Sequence, residues 1–292
     1  MRALVIFGLA WLVSAVLVLL IRDWAERKAI LDHPNERSSH EVPKPRGGGI
    51  AIVLITLAGS ALWWTPRFAV VALAALVVAV VSWVDDVRHL PATMRLGVQS
   101  LAAVAVLIAF PAGAFTPLAF FWIVGLTNAY NFMDGIDGIA GGQAVVAGLA
   151  WGLFGMLAQQ PLIAILGLLI AGSSAGFLMH NWQPARIFMG DVGSAFLGFT
   201  FASLAIMEWP NLRLTAAGVL VVWPFVTDAA FTFVRRALRG ERVMEAHRSH
   251  IYQRLNQRGL SHAAVSSIYI ALAAGGAVAA LFLIHHVILQ MP

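Results

Sequence analysis

Ten apolar stretches, near 3–21, 47–66, 68–84, 95–113, 115–131, 143–159, 161–179, 193–209, 213–236 and 264–288, fill most of this chain. Each comes close to the ~20 residues an α-helix needs to cross the hydrocarbon core of a bilayer. With 60% hydrophobic and 11% charged residues among 292, the chain is too apolar for a water-soluble domain of that length. The expectation is an all-α polytopic membrane protein of about ten transmembrane helices, with residues 1–292 forming a single integral membrane domain.

The polar motifs fall at alternate junctions between these stretches. Asp85-Asp86, the run NAYNFMDGIDGIAGG beginning at Asn128, FMGDVGS around Asp191 and HRSHIYQR from His247 all come to one membrane face when the chain is threaded. Of the nineteen Lys and Arg residues, only Arg2, Arg67 and Arg213 fall on the other face. Basic residues in short loops mark the cytoplasmic side. Both termini are therefore expected outside, and the motifs are expected in a cleft that opens to the cytoplasm. The same asymmetry explains the net charge of +5 by topology, so no nucleic-acid partner is implied. The first stretch lacks a small-residue cleavage site before Arg22 and reads as an uncleaved span. With no cysteine, disulfides, thiolate nucleophiles and cysteine-bound metals are excluded.

The fifth stretch is apolar only from Phe115 to Leu126, too short to cross alone, which places Asn128 and Asn131 below the membrane surface. Polar groups at that depth are tolerable when buried in protein or lining a wet cavity. Asn128, Asn131, Asp134 and Asp137 recur every three residues, so neighbours in the series share a helical face and can offer oxygen ligands to one site. Asp191 stands where it can cap the eighth span. With Asn131 it supplies hard oxygen donors, which suit magnesium rather than zinc.

Glycines open three spans, at Gly47 to Gly49, Gly141-Gly142 and Gly190 to Gly193. Helix starts of this kind bind phosphate, or the glycines allow close packing. For Gly47 to Gly49 the two readings weigh evenly, whereas near Asp137 and Asp191 phosphate is expected. The adjacent anions Asp85 and Asp86 call for a compensating cation, with Arg88 and Arg95 close by. His247, Arg248 and His250 in the last basic loop suit phosphate or sugar hydroxyls better than zinc. Ser261 is placed to cap the tenth span. The loop carrying His33, His40, Lys44 and Arg46 is stiffened by prolines. Asp228 lies well inside a span, where a helix break at Pro224 turns it to the cleft or a neighbour pairs with it.

These motifs, in order and over nearly the whole chain, resemble the polyprenyl-phosphate N-acetylhexosamine-1-phosphate transferases of glycosyltransferase family 4. HRSH and DHPNERSSH look most like the branch that initiates bacterial O-antigen and related glycans. The resemblance implies an enzyme of the bacterial inner membrane that moves a sugar 1-phosphate from a UDP-sugar to undecaprenyl phosphate and releases UMP. Mg2+ is the implied cofactor, Mn2+ the alternative, and a homodimer is expected by analogy. Residue by residue, it implies that Asn131 and Asp191 bind the metal and that Asp85, with Asp86 beside it, acts on the lipid phosphate. Asn128, Asp134 and Asp137 fall on the nucleotide side, Asp137 at the uracil end. Arg95 stands where relatives carry a phosphate-binding lysine, and Lys44 and Arg46 are loop contacts. The late loop departs from the triple histidine of the peptidoglycan-precursor translocase, which argues against a muramyl-pentapeptide substrate. A transporter is the main non-enzyme alternative, and a CDP-alcohol phosphotransferase the other enzymatic one, although Asp134-Gly135 is not followed by its Ala-Arg pattern.

Overall fold

A computed structural model describes residues 1–34, 42–209, 211–241 and 247–288. His40 and the rest of 35–41, the connecting Pro210, and residues 242–246 of the late loop lie outside the described residues. Ten long helices follow in order: α1 (Arg2–Arg27), α2 (Gly49–Ser60), α3 (Pro66–Arg88), α4 (Ala92–Ala109), α5 (Thr116–Met133), α6 (Ile139–Leu157), α7 (Pro161–Asn181), α8 (Asp191–Met207), α9 (Leu212–Leu238) and, after the short α10 (Ile251–Gln257), α11 (His262–Ile288). Seven of them are long and apolar enough to cross a membrane, while α2 and α8 are shorter apolar helices. Leu12, Leu101, Ile108, Phe121 and Phe282 lie exposed on the outside of the bundle, an apolar exterior that a bilayer solvates and water does not.

Local signals start and stop these helices. The Thr65 hydroxyl accepts the Phe68 amide to begin α3, Asn211 does the same for Leu214 in α9, and proline opens α5 and α7 in their first turns. Helices α7 and α8 form the buried middle, and α1 packs along α7, where Gly172 and Gly176 let the Phe7 and Trp11 carbonyls approach the α7 backbone. A two-stranded antiparallel ribbon, β1 (Leu31–Asp32) and β2 (Lys44–Pro45), lies between α1 and α2, and Arg46 forms a single bridge to Phe188.

Several sequence expectations change. The helix of the fifth span runs on past 131 to Met133, while its apolar part stays too short for it to join the seven helices apolar enough to cross a membrane. The second span ends at Ser60 rather than at 66. Pro224 does not break α9, which is continuous to Leu238. The segment after His250, read as loop, forms α10.

Candidate active site

The end of α3, the start of α4, the end of α5 and the start of α8 meet at one end of the bundle. Asp85 Oδ1 accepts the Leu90 amide at 2.6 Å and closes the α3–α4 turn, while its Oδ2 takes Arg95 Nη1 at 2.6 Å. The same Nη1 reaches Asp191 Oδ2 at 3.3 Å, so one guanidinium bridges two carboxylates from distant parts of the chain. Asn131 hydrogen-bonds Asp191, and its Nδ2 donates to Ser194 Oγ at 3.0 Å, one turn into α8. Asp134 follows just beyond α5. Burial raises its carboxyl well above the ordinary range, with the Asp191 and Asp86 charges pushing the same way against Arg46.

Asp86 is spent differently. Its Oδ1 accepts the Asp191 amide at 3.0 Å and its Oδ2 the Val192 amide at 3.1 Å, so a residue of α3 caps α8. Arg46 lies 3.5 Å from the same carboxylate and 3.3 Å from Asp32. The expectation that Asp191 caps its own helix is thereby corrected: Gly190 is the N-cap residue, without a side chain to offer, and Asp86 takes the free amides. Gly190 has φ +77°, and a Cβ there would lie 2.7 Å from Asp86 Oδ2.

This also corrects the phosphate reading of the glycine-rich helix starts. The anion at the α8 amino terminus is the protein's own Asp86. At α2, the Gly48 and Gly49 amides donate to the Phe188 and Met189 carbonyls, and Gly49 presses against Gly193 so closely that a Cβ would come within 2.4 Å of its Cα. At α6, the Gly138 amide donates to Asn181 Oδ1, while Gly141 and Gly142 face Phe177 and Ile270. Close packing is what these glycines permit.

Asp137 sits apart from the Asp85–Asp191 centre. Its Oδ2 accepts the Ala185 amide at 3.0 Å, with Lys44 Nζ at 4.0 Å, and its Oδ1 lies 3.5 Å from His262 Nδ1. Burial by itself would raise the carboxyl, but the His262 and Ala185 hydrogen bonds and the Lys44 charge outweigh it and hold the group below the usual range. Asn128 lies one turn deeper than Asn131 and donates to Gln99 Oε1 at 2.6 Å and to the Val124 carbonyl at 2.8 Å.

His250 is buried at the start of α10, with Nδ1 3.2 Å from Asp228 Oδ1. His247 packs on it, ring centroids 4.9 Å apart, and holds Ser249 Oγ at 2.9 Å from its Nδ1. The Arg248 carbonyl accepts Gln257 Nε2 at 3.1 Å. This group adjoins the site through Phe132, whose ring lies 6.3 Å from His250. Ser261 accepts the Ala264 amide at the start of α11, as expected. Gln99, Ser194, Asp32, Tyr252 and His262 were not singled out from the sequence. Gln99 alone had a visible signal, a polar residue one helical turn after Arg95 in an otherwise apolar helix.

A multi-pass helical membrane protein with carboxylates and arginines converging at one end of its bundle is the class these features define. The particular family follows from comparison with known proteins: the description "Glycosyl transferase family 4" matches residues 68–208. The "Probable undecaprenyl-phosphate N-acetylglucosaminyl 1-phosphate transferase" of Bacillus subtilis (strain 168) is 31% identical over 279 residues, 87% of this chain and 78% of that one. The "Phospho-N-acetylmuramoyl-pentapeptide-transferase" of Synechococcus sp. (strain JA-3-3Ab) is 30% identical over 310 residues, covering 92% of this chain and 88% of that one. The chain belongs to glycosyl transferase family 4 and is a membrane transferase. Neither of these relatives is named for an O-antigen step.

Proposed function

We propose that this enzyme transfers an N-acetylhexosamine 1-phosphate from a UDP-sugar to undecaprenyl phosphate, giving a polyprenyl-diphosphate sugar and UMP. The reaction initiates a cell-surface glycan, of the O-antigen type, on the cytoplasmic face of the bacterial inner membrane. The observation that carries the reading is the junction of Asp85, Arg95, Asp191 and Asn131 at one end of the bundle. The relatives' names add the lipid phosphate acceptor and the sugar phosphate class.

Magnesium fits the donor set. Asn131, Asp134 and Asp191 offer only oxygen, and the carboxylates Asp85, Asp86, Asp134 and Asp191 outnumber the guanidinium groups of Arg46 and Arg95 placed against them. Oxygen donors of this kind suit an ion that keeps waters and substrate phosphate oxygens in its shell. Held by Asn131 and Asp191, it would neutralise the diphosphate charge and that of the departing UMP.

The polyprenyl phosphate oxygen attacks the β-phosphorus of the UDP-sugar, the bond to the bridging oxygen breaks, and UMP leaves. Positioning and charge neutralisation dominate such a transfer. A phosphate monoester with a second pKa near ~6 is already largely dianionic at neutral pH, so it needs little help from a base. Asp85, locked to Leu90 and Arg95, therefore orients the Arg95 guanidinium toward an incoming phosphate. Arg46 Nε, buried without a partner, adds a second donor to the same end of the bundle.

The test is UMP release by membranes holding the protein, supplied in turn with a panel of UDP-N-acetylhexosamines and with UDP-muramyl-pentapeptide, each with undecaprenyl phosphate and Mg2+. Lipid-dependent UMP from one UDP-sugar is the expected result. UMP only from the UDP-muramyl-pentapeptide would replace the hexosamine reading, and none from any donor would remove the transferase reading.

A further inference from the structure

Asp228 is a carboxylate in the body of α9, 1% exposed, and its two oxygens take four donors and face His250 Nδ1. Oδ1 accepts the Ile251 amide at 2.8 Å and the Thr232 hydroxyl at 3.2 Å, and faces His250 Nδ1 at 3.2 Å. Oδ2 accepts the Tyr252 amide at 3.0 Å and the Tyr269 hydroxyl at 2.5 Å. Asp228 thus caps α10 from another helix and ties it to α9 and α11. A seven-residue helix does not hold its shape in water by itself, so this anchor adds to the local His250–Gln253 capping box in defining it.

From α10 the connection runs to the catalytic end. Tyr252 Oη donates to the Phe132 carbonyl at 2.9 Å, between Asn131 and Asp134. Gly135 makes the space: a Cβ there would stand 2.1 Å from that hydroxyl. At the start of α10, His250 stacks on Tyr252 and carries the ring of His247.

We propose that Asp228 is a positioning residue for the donor half of the site, holding α10 so that His247 and Arg248 stand over the Asn131–Asp134 turn where the sugar nucleotide binds. The proposal rests on the transferase reading above for its substrate, but the anchor itself is a property of the fold. It predicts a selective effect. The lipid phosphate, met by Asp85 and Arg95 on α3 and α4, should not sense Asp228.

The variants are Asp228→Asn, which keeps the size but offers one oxygen acceptor, and Tyr252→Phe, which removes only the link to Phe132. In purified full-length protein, Asp228→Asn should raise the KM for the UDP-sugar about tenfold or more while the KM for undecaprenyl phosphate stays within twofold. Tyr252→Phe should move the same constant in the same direction by less. Gly135→Ala should mimic the loss, and Tyr252→Phe placed in that background should restore part of it by removing the clashing hydroxyl. An unchanged donor KM in Asp228→Asn, or equal rises for both substrates, would overturn the proposal. Hydrogen exchange over 250–257 reads the anchor without chemistry and should speed up at least tenfold in Asp228→Asn. If wild-type protein released no UMP, the transferase reading would fail while this exchange result still judged the anchor. Unchanged exchange would overturn it.

Discussion

Replacing Asp86 with asparagine separates holding the site from doing its chemistry. Asp86 accepts the first two free amides of α8 at 3.0 and 3.1 Å and faces Arg46 at 3.5 Å. Asparagine keeps one oxygen acceptor, so one amide of Asp191 or Val192 loses its partner and Arg46 loses a counter-charge. A hydrogen bond to a charged acceptor contributes about 1.5–3 kcal/mol. Loss of an N-cap contributes about 1 kcal/mol by the usual measure. The two figures describe the same bonds, so about 2 kcal/mol is the working value. Spread into the placement of Asp191, this corresponds to roughly 30-fold in kcat/KM at ~1.36 kcal/mol per tenfold. The assay is UMP release by Asp86→Asn, Asp191→Asn and the double variant. If Asp86 acts through Asp191, its substitution should add less than threefold once Asp191 is already asparagine. A single variant at wild-type turnover, or a full 30-fold further loss in the double variant, would refute the reasoning.

Three other outcomes follow from the packing and charges. Gly49→Ala should force α2 and α8 apart, since its Cβ would meet Gly193 Cα at 2.4 Å, and should lower stability by about 1–3 kcal/mol in a detergent melt; an unchanged melt would contradict the crossing. Asp137→Asn should destabilise by about 1–2 kcal/mol at pH 7 through its charge-assisted bonds to Ala185 and His262. Because the folded carboxyl is held below its usual range, its contribution is present above the unfolded value near ~3.9 and fades as pH falls through the folded one. The gap between wild type and Asp137→Asn should therefore narrow as pH falls below about 3.9 in thermal melts, and a constant gap would argue against the assignment.

The helical membrane fold was legible because apolar run length and charge asymmetry survive any detail of packing. So was the gathering of the motifs, since threading ten spans fixes which junctions share an end. What the sequence hid is where each carboxylate is spent. Asp85 and Asp86 are neighbours in the chain, yet one holds Arg95 and the other caps α8, because successive residues of a helix point about 100° apart. Glycine at a helix start reads alike whether it admits a phosphate or another backbone, and Gly49 against Gly193 is the second case. The helix α10 is tied to Asp228, more than twenty residues earlier, a contact that the local capping pair His250 and Gln253 does not announce.

The proposed reaction needs Asn131 and Asp191, sixty residues apart along the chain, to hold one divalent ion against a nucleotide diphosphate. Mn2+ titration of the purified protein with UDP present, read by electron paramagnetic resonance, tests it most directly. One tightly bound Mn2+ per chain is expected, with affinity reduced at least tenfold in both Asn131→Ala and Asp191→Asn. Equal Mn2+ binding by wild type and both variants would contradict it.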